Sequence, residues 1–215
     1  MVYILFDNSF SLFLSYLDKG GIVFIILLFF SFVSLSIIIF KLIQFYILRP
    51  LDLTEIERVI KSSENINNLE TVSPILEEKN NLFSRIIRQS IEIFNDTNLK
   101  ENEKISEISF IANKEIKPLE KLLPSLDIIA QVSPLLGLLG TVIGMISSFN
   151  QLELGGSNVD PSILAGGIWT ALLTTAIGLI VAIPALIAHH FFEKKIENIQ
   201  EGINGILVLI NNYKK

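Results

Sequence analysis

The amino-acid sequence predicts an all-α integral membrane protein: three transmembrane helices and a helical cytoplasmic domain, with the N-terminus outside and the C-terminus inside. Three observations carry this. The 215-residue chain is 18% charged, against about 25% in a soluble domain. The deficit sits in three blocks without a single charge, Gly20–Phe40, Ile128–Leu152 and Pro161–Ala188. Each reaches the roughly 20 residues that a helix needs to cross the hydrocarbon core, and in lipid only a helix or a closed barrel satisfies its own backbone. No convincing strand alternation appears. Finally, the 17 Lys and Arg are distributed unevenly: Lys19 alone precedes the first block, none lies in 150–161, and the rest fall in 41–125 and 193–215. Lys and Arg stay on the cytoplasmic side, which gives the orientation.

Residues 1–19 hold Phe6, Phe10, Phe13 and Tyr16 among leucines, and are expected to form a periplasmic amphipathic segment with its aromatics at headgroup level. Residues 20–48 form the first span. No basic region precedes it and no small-residue cleavage site follows, so it is expected to remain as an anchor. Residues 49–125 form the cytoplasmic helical domain. Leu82, Ile86, Ile87, Ile91 and Phe94 make one helical stripe, and Ile105, Ile108, Ile111, Ala112 and Ile116 another. Breaks are expected at Asn65–Asn68 and Asn95–Asn98, and a kink or restart at Pro118 and Pro124. Residues 126–150 form the second span, 151–160 a short periplasmic loop and 161–190 the third span. Asp160 followed by Pro161 is a helix-start pair, so the two spans form a tight antiparallel hairpin. Residues 191–215 continue as a C-terminal cytoplasmic helix on Ile196, Ile199, Ile203, Ile206 and Ile210, with Gly202 and Gly205 weakening it.

Several function classes are excluded. There is no Cys, hence no disulfide, thiol nucleophile or Cys-based metal site. A net charge of −5 argues against nucleic-acid binding. No phosphate-binding loop, zinc-protease or serine-hydrolase motif is present, so no enzymatic activity, catalytic residue, metal or cofactor is expected.

The chemistry lies in two stripes. Ser133, Gly137, Thr141, Gly144 and Ser148 share one face of the second span, with Gly140 and Gly144 adding a GxxxG. Gly167, Ala171, Thr175, Gly178, Ala182 and Ala185 share one face of the third. Small residues let helices approach closely in lipid, so both stripes read as packing faces. The competing reading is the wall of a narrow lumen, with threonine hydroxyls facing water or a proton; spacing alone favours packing, because small-xxx-small is common in membrane helices. No Asp, Glu, Lys or Arg lies within the central part of any span. An intramembrane ionisable group usually marks an ion pathway, so a proton crossing here needs an acid brought by a partner. Asp127 reads as an interfacial helix-start residue, His189 and His190 as solvated interfacial side chains, Pro134 and Pro184 as tolerated kinks, and Trp169 as a packing or anchoring residue.

Ser133-Pro134-Leu135-Leu136-Gly137-Leu138-Leu139-Gly140-Thr141-Val142-Ile143-Gly144-Met145 resembles a segment of the MotA/TolQ/ExbB proton channel family, and its ExbB/TolQ three-span branch in particular. The run Gly167–Leu179, followed by Val181–Ala185, resembles that family's third-span motif. The match is specific over about 133–185 and architectural before it. The resemblance implies a multi-pass subunit of a bacterial inner membrane, assembled as a homopentamer around a pore. It implies a single-span ExbD/TolR-like partner supplying an Asp, and proton flow that works on a TonB- or TolA-like protein. Thr141 and Thr175 then take the family's pore positions, and Thr170, Ser148 and Ser133 join them as the expected proton pathway. Thr170 stands where relatives often carry Glu; a hydroxyl can exchange hydrogen bonds there but not hold a charge. The expected packing residues are Gly137, Gly140, Gly144, Gly167, Ala171, Gly178, Ala182 and Pro184. A non-conducting scaffold that assembles partner subunits is the alternative.

Overall fold

The structure, a computed structural model, describes the backbone of residues 2–48, 82–96, 98–155 and 161–213. These form five helices: α1 (Val2–Leu48), α2 (Leu82–Asn95), α3 (Glu101–Glu120), α4 (Leu123–Gly155) and α5 (Pro161–Tyr213). Three helical stretches, Gly21–Ile47, Leu123–Gly155 and Leu164–Gly205, are long and apolar enough to cross a membrane. The expected break at Asn65–Asn68, the Asp160 cap and the side chains of the N-terminal amphipathic segment lie outside the described residues. The chain divides into two compact units, Met1–Ile39 with Pro124–His190, and Phe40–Leu123 with Phe191–Lys215.

The first unit holds the long apolar runs. α1 bends at Gly21, whose φ of 58° and ψ of −155° suit a residue without Cβ. Beyond the bend, Val23, Phe24, Leu27, Ser34 and Ile37 are buried while Phe29, Phe32 and Leu35 are exposed. The spacing of the buried set follows one helical face. α4 and α5 divide the same way: Leu126, Ile129, Ala130, Val181, Ala182 and Ala185 are buried, whereas Leu135, Ile146, Leu172, Ile180 and Ile187 are more than half exposed. Large apolar residues thus cover the outside as well as the inside of this unit, unlike a soluble domain, and the small residues fall on the buried side of α5. An apolar exterior of this extent is a liability in water and suits lipid, where helices associate by close packing.

The second unit is built differently. α2 buries Ile86, Ile87 and Phe94 against α3, which buries Ile108, Ala112, Ile116 and Leu119. Ile105, expected in that stripe, is 47% exposed, and Lys104 is buried instead. The reason is a hydrogen bond: the Lys104 ammonium reaches the Phe94 carbonyl at 3.0 Å. That carbonyl lies in the last turn of α2, where backbone acceptors lack helical partners. The break expected near Asn95–Asn98 is present, with the Asn98 amide donating to the Asp96 carboxylate at 2.8 Å. α3 then starts with Glu101 and Glu103 in its first turn, favourable to the helix dipole.

α3 runs through Pro118 to Glu120. The restart lies between the two prolines, at Leu122, whose φ is 74°; Pro124 then falls in the first turn of α4, where a missing N–H is harmless. The end of α3 is closed by α1. Lys41, fully buried, donates to the Leu119 carbonyl at 2.6 Å and to the Gln44 side chain at 3.0 Å. Gln44 in turn donates to the Pro118 carbonyl at 3.4 Å. The C-terminal part of α5 buries Phe192, Ile196, Ile199 and Ile203, and the helix passes through Gly202 and Gly205 unbroken. Phe45 stacks on Phe192 at 5.4 Å.

Candidate functional site

The site is the seam between α4 and α5 in the first unit. Regular pairing identifies it. A Cβ built on Gly137 would stand 2.9 Å from the Thr174 carbonyl oxygen and 3.4 Å from Gly178 Cα; one on Gly140 would stand 2.6 Å from Thr174 Oγ1. One on Gly144 would meet Ala171 Cβ at 3.4 Å, one on Gly178 would lie 2.7 Å from the Ser133 carbonyl oxygen, and one on Gly167 would run into the Ser148 hydroxyl. Numbers rise along α4 as they fall along α5, so the helices are antiparallel and touch backbone to backbone over four turns or so. Glycine at 137, 140 and 178 is therefore a matter of space.

The hydroxyls of the seam fall into two groups. Ser133 and Ser148 are buried, and each turns back on its own helix, donating to the Ile129 carbonyl at 2.6 Å and the Gly144 carbonyl at 2.9 Å. Their place is the packing seam itself. Thr175, part-buried, instead crosses the seam and lies 3.3 Å from the Gly137 carbonyl. Thr141, one turn along α4 from Gly137, donates to the Leu138 carbonyl at 2.6 Å. Thr170 donates to the Gly166 carbonyl at 3.0 Å from a more exposed position. Thr141 and Thr175 are thus gathered around one stretch of α4 backbone, and Thr170 stands apart from them.

Thr174 went unnoticed in the sequence. It is 1% exposed, and its hydroxyl lies 2.8 Å from the Ala171 carbonyl and 3.2 Å from that of Gly137. The Gly137 carbonyl therefore has threonine hydroxyls from two successive residues within reach; its second lone pair accepts one of them, and Thr174, nearer to the Ala171 carbonyl, has that alternative acceptor. The signal was present: Ala171, Thr174 and Gly178 follow a 3-then-4 spacing, and Thr175 follows the opposite order equally well. Only the partner glycine at 140 separates them. Gly167, Ala171, Gly178 and Ala182 occupy the seam or the buried side of α5, but Pro184 lies on the exposed side. Val181, Ala182 and Ala185 take the inward positions at that level, and the helical period leaves Pro184 between them. Trp169 is 56% exposed, and Asp127 accepts a hydrogen bond from Gln131 at 2.8 Å, the local role of a residue near a helix start.

The chain matches the MotA/TolQ/ExbB proton channel family over residues 77–204, a range that contains the whole seam. It is 38% identical over 95 residues to the Tol-Pal system protein TolQ of Haemophilus influenzae, covering 44% of this chain and 41% of that protein. It is 46% identical over 61 residues to the biopolymer transport protein exbB1 of Vibrio cholerae, covering 28% and 27%. A putative biopolymer transport protein ExbB homolog of Methanothermobacter thermautotrophicus is 35% identical over 153 residues, covering 71% and 52%. The matched stretches thus span about a quarter to a half of these relatives.

Proposed function

The chain belongs to the MotA/TolQ/ExbB proton channel family and is a multi-pass inner-membrane protein, and from that premise we propose that it is the channel-forming subunit of a proton-driven membrane motor. In this reading, copies of the chain, five in the arrangement the resemblance implies, surround a lumen. Thr141, Thr175 and Thr170 face a single-span ExbD/TolR-like partner whose Asp carries the proton, and the work is delivered to a TonB- or TolA-like protein. The orientation is N-terminus out and C-terminus in, with residues 49–125 and 191–215 cytoplasmic.

One observation supports this most: the Thr141 and Thr175 hydroxyls lie on successive α4 carbonyls, those of Leu138 and Gly137, in a central stretch of the spans that holds no Asp, Glu, Lys or Arg. A charge at the bilayer centre costs at least about 2.5–3.5 kcal/mol, and a ring of hydroxyls with water lowers that cost for a partner carboxylate without adding a fixed charge of its own. Proton flux in liposomes, with and without the partner, tests the reading. Thr141→Val and Thr175→Val should each cut partner-dependent flux at least about tenfold, the effect of losing one well-placed hydrogen bond worth about 1.4 kcal/mol, while assembly persists. Wild-type complex that forms stably yet conducts nothing would instead establish the scaffold role.

A further inference from the structure

A cleft of about 300 Å³ opens in the first unit beside the bend of α1. Ile22 and Val23 form one wall, α4 contributes Ile143, Ser147 and Gln151, and α5 contributes Thr170. Its floor includes Gly140 and Thr174. At 1.5 Å per residue, Thr170 lies about 14 Å along α5 from Pro161, and Gly140 about 22 Å along α4 from Gly155. The floor therefore sits well inside an apolar layer about 30 Å thick.

The lining does not suit lipid chains. Ser147 and Gln151 are exposed and line the cleft, and a hydroxyl or amide left against hydrocarbon without a partner costs several kcal/mol. Gly140, Gly144, Gly166 and Gly167 bring bare backbone to the same wall; the Gly144 and Gly166 carbonyls already accept from Ser148 and Thr170, and a helical carbonyl such as that of Gly140 or Gly167 has a second lone pair to offer. Among the described residues no charged side chain lines it, so nothing there selects an anion or a metal cation. Donors and acceptors without charge, in a volume that holds roughly ten waters at about 30 Å³ each, are what liquid water requires.

We propose that this cleft is a water-filled vestibule within the chain, which carries water and hydronium from the α4–α5 hairpin end to the level of Thr170 and Thr174. All of its walls belong to one copy; it shares Thr170 with the lumen proposed above, and its hydration can be read without a proton flux. The bend at Gly21 is part of its construction, since it sets the α1 wall.

The natural absence of cysteine makes the test direct. Ser147→Cys, Ile143→Cys, Ile25→Cys, Leu172→Cys and Glu153→Cys are introduced singly into the full chain. Their modification by a charged methanethiosulfonate is then timed in membrane vesicles of both orientations. Only the thiolate reacts, and moving a thiol out of water raises its pKa; a rise of two units lowers the thiolate fraction about 100-fold. Ser147→Cys and Ile143→Cys should react within about tenfold of the exposed Glu153→Cys, and the outward-facing Leu172→Cys and Ile25→Cys about 100-fold more slowly. Ile143→Cys as slow as Leu172→Cys, with Glu153→Cys reactive, would overturn the vestibule, and so would uniform reactivity across all five. The readout is hydration, so it stands or falls apart from the flux measurement.

Discussion

The α4–α5 seam and the α2–α3 pair bring helices together by opposite means. In the seam, side chains are removed: Gly137 and Gly178 leave backbone against backbone and Gly140 makes room for the Thr174 side chain, and the contacts that remain are dispersion and two threonine hydroxyls. In the α2–α3 pair, side chains are added: isoleucines interdigitate, and Lys104 spans the gap to a helix end. The contrast follows from the solvent. In water the driving force is apolar burial, so large side chains go inward. In lipid that force vanishes, and proximity is all that helix packing has to offer. A single chain thus uses bulk as cement in one helix pair and absence in the other.

Substitutions that cross the two strategies should show it. The largest effect is expected from Gly140→Ala, a change that would be stabilising on an exposed helix. Its Cβ would stand 2.6 Å from Thr174 Oγ1, so it should cost about 1–3 kcal/mol, the usual range for overpacking, read as a drop in unfolding free energy in detergent. Adding Thr174→Ala should recover only part of the loss, because the Thr174 Cβ itself stands 2.7 Å from the new methyl group, and the double-mutant cycle gives the coupling directly. An additive pair would mean the clash is relieved elsewhere.

Next comes Lys41→Met, which keeps the volume and removes the donor. The Leu119 carbonyl would lose its Lys41 donor, and Gln44 would lose the ammonium that holds it beside the Pro118 carbonyl, at about 1–2 kcal/mol. Amide hydrogen exchange should rise first in residues following the lost cap, at the α3–α4 junction. Exchange rising uniformly through both units would mean the cap is not local. The smallest effect is expected from Arg85→Ala. The Arg85–Glu115 pair is 3.1 Å long, but the arginine is 51% exposed, and exposed pairs contribute about 0–1 kcal/mol.

Much of this was legible in the sequence, and for a simple reason: charge is so costly in lipid that a long run without it marks a span. The three long apolar helices, the helical character of 82–120 and the glycine face of the hairpin all follow from composition and period. Two things did not. Ile105 fits the helical stripe as well as Lys104 does, and only the Phe94 carbonyl at the end of α2, which Lys104 reaches, decides between them. Likewise Thr174 and Thr175 are equivalent by spacing, and the choice is made by Gly140 on another helix. Pattern fixes which residues can face a partner; the partner's own shape picks among them.

Gly21 and Gly140 look alike in the sequence and are opposites in the fold. At Gly140 there is no room for a methyl group, whereas at Gly21 a Cβ would meet nothing within 4 Å. What Gly21 supplies is a backbone with φ of 58° and ψ of −155°, the mirror image of an extended conformation that any L-residue adopts freely. A D-alanine placed at position 21 would therefore fit the bend that an L-alanine opposes, and at position 140 the extra methyl group would be at odds with the packing. One glycine answers to size, and the other to chirality.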